Sequence, residues 1–294
     1  MPLFLRKLVL SAVVGSCVFA TGCASMRGKT ESDGLASARR LSFEGKEAIR
    51  RGDELEAKQC FESAIQHCPS DERAHCGYAE ALWQQGQHLQ AIAQMKTAVQ
   101  LSGGDPHLYV KLARMELDHG DFSAASTNVQ QAIRTNRHLA SAWALNGDLM
   151  RAQGQYEAAL TSYQRALSEQ AEYPEVEMSV AEIYRDQGRN HLALATLDRL
   201  ATRSAPSQQT PELLLMRGMV LKSLQRYEDA IASLTAAREK RPDHAETLFQ
   251  LGDAFQLAGQ TANSRLALEA AVQLNPRDRR SAELLAQVSD GRLR

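Results

Sequence analysis

Aromatic residues are scarce in this chain of 294 residues: Phe, Trp and Tyr make up 5%, with only two tryptophans. Alanine and leucine therefore carry most of an ordinary 44% apolar content, and glycine and proline fall at regular positions, a balance that favours helix. No charge of one sign dominates. The formal net charge is −1, and loss of residues 1–22 removes Arg6 and Lys7 without removing any acid. A nucleic-acid binder would carry a clear basic excess, so that class is excluded. Motifs of catalysis are also missing. The chain has no phosphate-binding loop, nucleophile elbow, dinucleotide glycine fingerprint, His-Glu-x-x-His or Cys-x-x-Cys-His. Neither an enzyme nor a cofactor protein is expected.

Nor is there an apolar run long enough to span a bilayer. The longest, Leu8 to Ala20, would reach about 20 Å as a helix against a hydrocarbon core of about 30 Å. It follows Arg6 and Lys7 and reads as a signal peptide over residues 1–22. The leader ends in Ala20-Thr21-Gly22-Cys23, which resembles the bacterial lipobox, with Ala20 standing where that family favours leucine. The resemblance implies lipidation of Cys23 by a diacylglyceryl thioether and an amide-linked acyl chain such as palmitate. Several chains hold far more firmly than one. Ala24 and Ser25 follow, without the aspartate that retains many lipoproteins in the inner membrane, so the outer membrane facing the periplasm is implied. Residues 23–37 then read as the lipidated terminus and a small, polar, flexible tether.

What the chain does have is a period. Gly52, Gly86, Gly120, Gly154 and Gly188 recur every 34 residues; a 37-residue step leads to Gln225, and Gly259 restores the 34. Behind each turn stands a small–bulky–small frame, as in Ala57, Phe61 and Ala64 or Ala159, Tyr163 and Ala166. A methyl group lets two helices approach to about 8–10 Å, and the bulky residue one turn later lies on the same face. Gly45, Gly147, Gly218 and Gly252, Trp143, and the prolines Pro69, Pro242 and Pro276 add to the pattern.

These residues resemble the tetratricopeptide repeat family over about 240 residues. The resemblance implies an all-α, right-handed superhelix (an α-solenoid) of seven helix–turn–helix repeats: 38–71, 72–105, 106–139, 140–173, 174–207, 211–244 and 245–278. Residues 279–294 would form a capping helix and tail, the helix over 281–289 with an apolar stripe of Ala282, Leu285, Ala286 and Val288. Departures from the frame are Ser264 at a crossing, Leu200 where alanine is usual, and "SAPSQQTP", which holds the three surplus residues.

In this family the first helix of each repeat lines an inner groove. Carried over residue by residue, the groove takes Arg39, Lys46 and Arg50 from repeat one, Arg73 and Trp83 from repeat two, and Arg114 and Leu117 from repeat three. Met178, Glu182 and Arg185 follow from repeat five, Met219 from six, and Phe249 and Asp253 from seven. The groove would be basic near the tether and more acidic further on, with Trp83, Met178, Met219 and Phe249 as anchors for a peptide or single helix. The implied partners are a protein or peptide and, through the lipid, a membrane.

The lipobox-plus-repeats layout resembles the outer-membrane lipoproteins that support type IV pilus secretin assembly. An adaptor or accessory for cell-wall or exported-polysaccharide enzymes is the alternative. Cys60, Cys68 and Cys76, with His67 and His75, leave three readings open: buried or incidental thiols, one Cys68–Cys76 disulfide, or a metal site. Cys60 and Cys68, about 12 Å apart on one helix, are too distant to share an ion.

Overall fold

A computed structural model describes residues 33–203 and 205–290. Among them are fifteen α-helices and no strand. The helices alternate as hairpins: α1 (33–51) with α2 (Glu54–His67), α3 (Glu72–Gln84) with α4 (His88–Leu101), and α5 (Pro106–Asp118) with α6 (Phe122–Thr135). Then come α7 (Ala140–Ala152) with α8 (Tyr156–Glu169), α9 (Pro174–Asp186) with α10 (Asn190–Arg203), and α11 (Pro211–Ser223) with α12 (Tyr227–Lys240). The last hairpin is α13 (Ala245–Leu257) with α14 (Thr261–Leu274), followed by α15 (Arg279–Ser289). The chain divides into two compact parts, one ending at Leu149 and one starting at Met150. No described helix is long and apolar enough to cross a membrane.

Each hairpin turn is made the same way. Gly52 has φ 79°, its N–H donates to Ile49 O at 3.0 Å, and the next N–H, of Asp53, reaches back to Ala48 O at 2.9 Å. That pair of bonds closes a helix with one left-handed residue. Gln225 keeps the geometry without glycine, at φ 59°, with Arg226 N–H on Leu221 O at 3.0 Å. Left-handed backbone costs an L-residue about 1–2 kcal/mol, which the surrounding hairpin must offset. Two of the second helices then start with a side-chain cap: Asp53 Oδ1 accepts from Glu56 N–H and Asp121 Oδ1 from Ala124 N–H, both at 3.0 Å.

The small–bulky–small frame packs as its spacing requires. Ala57, Ala91, Ala159, Ala193 and Ala230 are fully buried, and so are Phe61, Met95, Val129, Tyr163, Leu197, Leu234 and Leu268. Ser264, the departure at the last crossing, is fully buried too. Its hydroxyl donates to Gly252 O at 2.7 Å, so the polar atom is satisfied without widening the crossing. Glycines on the first helices receive the bulky residues. A Cβ built on Gly45 would lie 2.9 Å from the Phe61 ring, and one on Gly77, in the next repeat, 2.2 Å from it. Leu234 and Leu268 fill the matching spaces at Gly218 and Gly252, at 2.5 and 2.6 Å.

Two boundaries differ from the sequence expectation. The first helix already contains residues 33–37, the end of the expected tether. Gly34 explains this: a Cβ there would meet His67 O at 2.8 Å, so the helix docks by backbone approach rather than by an apolar side chain. The capping helix begins at Arg279, and its inward residues are Ser281 and Val288, with Leu284 and Leu285 half-buried; Ala282 and Ala286 are exposed. Asp278 sets that rotation, because it accepts from the Ser281 hydroxyl at 2.7 Å and caps the helix. The signal peptide, Cys23 and the tail 291–294 lie outside the described residues.

The fit of Phe61 between two glycines predicts a specific coupling. Gly77→Ala should cost about 1–3 kcal/mol in urea unfolding by overpacking. In that background Phe61→Leu should be nearly neutral or stabilising, although alone it leaves a cavity. Strictly additive losses would show that the two sites do not share space.

Candidate functional site

Within each part, second helices such as α4 and α12 are held on both sides, by their own first helix and by the next one. The faces of the first helices left over by this packing form the candidate site. In the N-terminal part, α1, α3 and α5 together border a shallow cavity of about 350 Å³ lined by Lys46, Arg73, Cys76, Asp105, Leu108 and Lys111. Arg39 and Lys46 are exposed and make no ion pair among the described residues. Arg50 pairs with Glu47 at 2.9 Å, and Arg73 with its neighbour Glu72 at 3.6 Å.

The cysteines take up local contacts. Cys60, Cys68 and Cys76 are all free thiols, so the expected alternative of a Cys68–Cys76 disulfide is not formed. Cys68 Sγ lies 3.5 Å from Ser70 Oγ. Cys76 Sγ lies 3.7 Å from both Glu80 Oε1 and Lys111 Nζ. Burial pushes the Cys76 thiol up, with Glu80 adding to the shift and Lys111 opposing it. Burial pulls the Lys111 ammonium down, but its hydrogen bond to Glu80 and the charges of Cys76 and Glu80 outweigh that and leave it raised. No group of three or more His, Cys, Asp or Glu positioned to hold a metal occurs among the described residues.

Trp83 serves packing as much as the groove. It is half-buried against Leu82, Met95 and their neighbours, and its ring meets His88 edge-on, with centroids 4.3 Å apart. Leu117 likewise packs on the cluster of Ala113, Val129 and Leu145.

The charges expected to choose a partner mostly choose one another. Arg114 donates to Asp148 Oδ2 at 2.6 Å, Arg151 to Glu182 Oε2 at 2.6 Å, and Lys222 to Asp253 and to Gln250 Oε1. Lys111 reaches Glu80 at 2.6 Å, and Arg280 of α15 reaches Glu246 at 2.7 Å while its guanidinium lies 4.8 Å from the Phe249 ring centre. Each ion pair joins a first helix to the next helix of the same row, 31 or 34 residues away. Within the C-terminal part this corrects the expected acidic end: Glu182, Glu212, Glu246 and Asp253 are each neutralised by an arginine or lysine.

The ladder breaks at one place. Arg185 would meet an acid at the equivalent position of the next repeat, but Met219 stands there. Arg185 turns to its neighbour Asp186, at 2.7 Å, and to Met216 Sδ, at 3.0 Å. Met178, Leu215, Met219 and Phe249 remain half-buried along α9, α11 and α13, so this face is apolar between satisfied charges. Lys111, one turn off the expected groove positions, was missed by the sequence reading. Opposite charges at a spacing of 31 were the signal that could have revealed it.

Comparison with known proteins agrees with the fold. The family model described as tetratricopeptide repeat matches residues 44–106, 110–174, 144–208 and 215–279. The chain belongs to the tetratricopeptide repeat family. It is similar to a tetratricopeptide repeat protein from Parabacteroides merdae at 14% identity and TM-score 0.63, covering 86% of this chain and 99% of that one. It is similar to pilF of Pseudomonas aeruginosa at 15% identity and TM-score 0.62, covering 76% and 98%. YrrB, described as a TPR protein with an unusual peptide-binding site, matches at 17% identity and TM-score 0.53, covering 64% and 96%. No curated protein matches the chain. At these identities the likeness is one of fold.

The ladder predicts a double-mutant result. Arg151→Ala and Glu182→Ala should couple by about 0.5 kcal/mol in urea unfolding, and the coupling should shrink in 1 M salt. The more enclosed Lys222–Asp253 pair should couple more strongly and resist salt. Zero coupling for both pairs would remove the ladder from the stability account.

Proposed function

We propose that this chain is a non-catalytic interaction scaffold, anchored by lipid at Cys23, that captures a peptide or helix on its first-helix faces. Its setting is the periplasmic side of a bacterial outer membrane, and its task is the assembly or localisation of a membrane complex such as a pilus secretin. The repeat family and the description of YrrB as having a peptide-binding site support capture of a polypeptide. The leader and Ala20-Thr21-Gly22-Cys23 support the anchor.

One observation carries the binding face. Along α9, α11 and α13 the apolar residues Met178, Leu215, Met219 and Phe249 stay half-buried while the charges between them are paired internally. A ligand can cover such a face without stripping water from isolated charges, which would otherwise cost several kcal/mol each. Half-buried side chains of this kind, already ordered by their neighbours, lose little freedom when covered.

Crosslinking in membranes followed by purification of the full chain tests the reading. Met219→Ala/Phe249→Ala should reduce partner recovery at least fivefold with helicity unchanged, and Cys23→Ala should release the chain from membranes. Undiminished recovery of every crosslinked protein by the double variant would refute the binding face, and retention of Cys23→Ala in membranes would refute the anchor.

A further inference from the structure

Seven residues separate Arg203 from Pro211, whereas four separate every other described second helix from the first helix after it. The longer connection includes a 3-10 turn at Pro206–Gln208. The second departure from the repeat, Leu200 in place of alanine, sits at the same junction. Leu200 is buried, and with Met178 and Leu213 it forms the apolar floor of a cavity of about 280 Å³ beneath this connection. Arg203, Gln209 and Thr210 stand at its rim. The break in the charge ladder at Arg185 and Met219 falls between the same two repeats.

We propose that this cavity takes one bulky apolar side chain, of leucine, methionine or phenylalanine type, from an extended segment of a partner protein. The inference rests on the groove reading above and specifies where on the groove the partner is gripped.

Size points to a side chain. Sites for whole small molecules run from about 300 to 1,000 Å³, and this one lies just below that range. The rim points to a peptide. Gln209 Nε2 already donates to Ala201 O at 3.0 Å, which leaves its carbonyl to accept. Thr210 Oγ1 already accepts from Leu213 N–H at 3.2 Å, which leaves its hydroxyl to donate. One acceptor and one donor beside an apolar hole match the N–H and C=O that flank a side chain on an extended backbone.

Charge excludes an acidic side chain. Arg203 is held by the buried Glu177 at 2.6 Å, and Glu172 lines the same cavity, so the mouth carries both signs. An anion entering would find Arg203 already paired and Glu172 repelling it, and so would lose water without gaining a partner. Arg199 also binds Glu177, at 3.0 Å, so Arg203 is fixed at the rim before any ligand arrives.

The test uses the full chain and a displayed library of random dodecapeptides. Enriched peptides should share one leucine, methionine or phenylalanine, and alanine at that position should weaken binding tenfold or more. Deleting Pro206–Gln208, which restores the 34-residue step, should weaken the same peptides at least tenfold with an unchanged far-ultraviolet circular dichroism spectrum. Met178→Asp, which places a charge in the floor, should do likewise and carries the test if the deletion variant does not fold. Peptides unaffected by both changes but lost in Met219→Ala/Phe249→Ala would overturn the cavity and leave the groove reading standing. Enrichment of no peptide would overturn both. Binding of N-acetyl-leucinamide as tight as that of the peptides would mark a small-molecule site and overturn the proposal.

Discussion

A large side chain of each second helix is seated against a small residue of a first helix, and the rest of the molecule depends on that fit. Where Phe61 fills the seat, glycine is needed on both sides, at Gly45 and Gly77. Where the seated residue is Leu234 or Leu268, one glycine suffices, at Gly218 or Gly252. The contact fixes how closely two helices approach, and the close approach excludes any larger residue at the crossing alanines. At these positions the seven repeats of a chain with few aromatic residues keep a tightly packed interior.

The same constraint decides what is left for function. Within each part, second helices are enclosed by two first helices, so their inward residues serve packing, with Leu200 at the floor of the 280 Å³ cavity the exception. First helices are enclosed on one side only, and their remaining face must be stable in water without a partner and still receive one. The ladder of ion pairs resolves that conflict. Arg114 with Asp148, Arg151 with Glu182, and Lys222 with Asp253 tie neighbouring first helices together and leave little unpaired charge to desolvate. Exposed pairs of this sort contribute little stability individually. Their larger effect is on which ligands the face accepts: apolar and hydrogen-bonding groups rather than strongly charged ones.

Much of this could be read from the residues alone. The bulky residue recurs in all seven repeats, and the turn glycine and the crossing alanine in six each, so chance cannot imitate these local signals. Ser264 departed from the frame only in appearance, since its hydroxyl finds Gly252 O. The start of α1 was hidden because Gly34 sits in a small, polar stretch and docks through its backbone. The stripe on α15 was misassigned because a capping side chain, Asp278, and a buried serine set its rotation. Groove charges were read one repeat at a time, and the spacing of 31 that pairs them emerges only when successive helices are aligned. "SAPSQQTP" read as slack, because nothing in its composition shows that Leu200 and Leu213 lie beneath it.

Amide hydrogen exchange of the full chain, measured with and without a bound peptide, tests most directly whether recognition belongs to the first helices. Slowed exchange confined to α9, α11 and α13 and to the 205–210 connection is the result this account predicts. Slowing concentrated on α10, α12 and α14 instead, with the first helices unchanged, would contradict it.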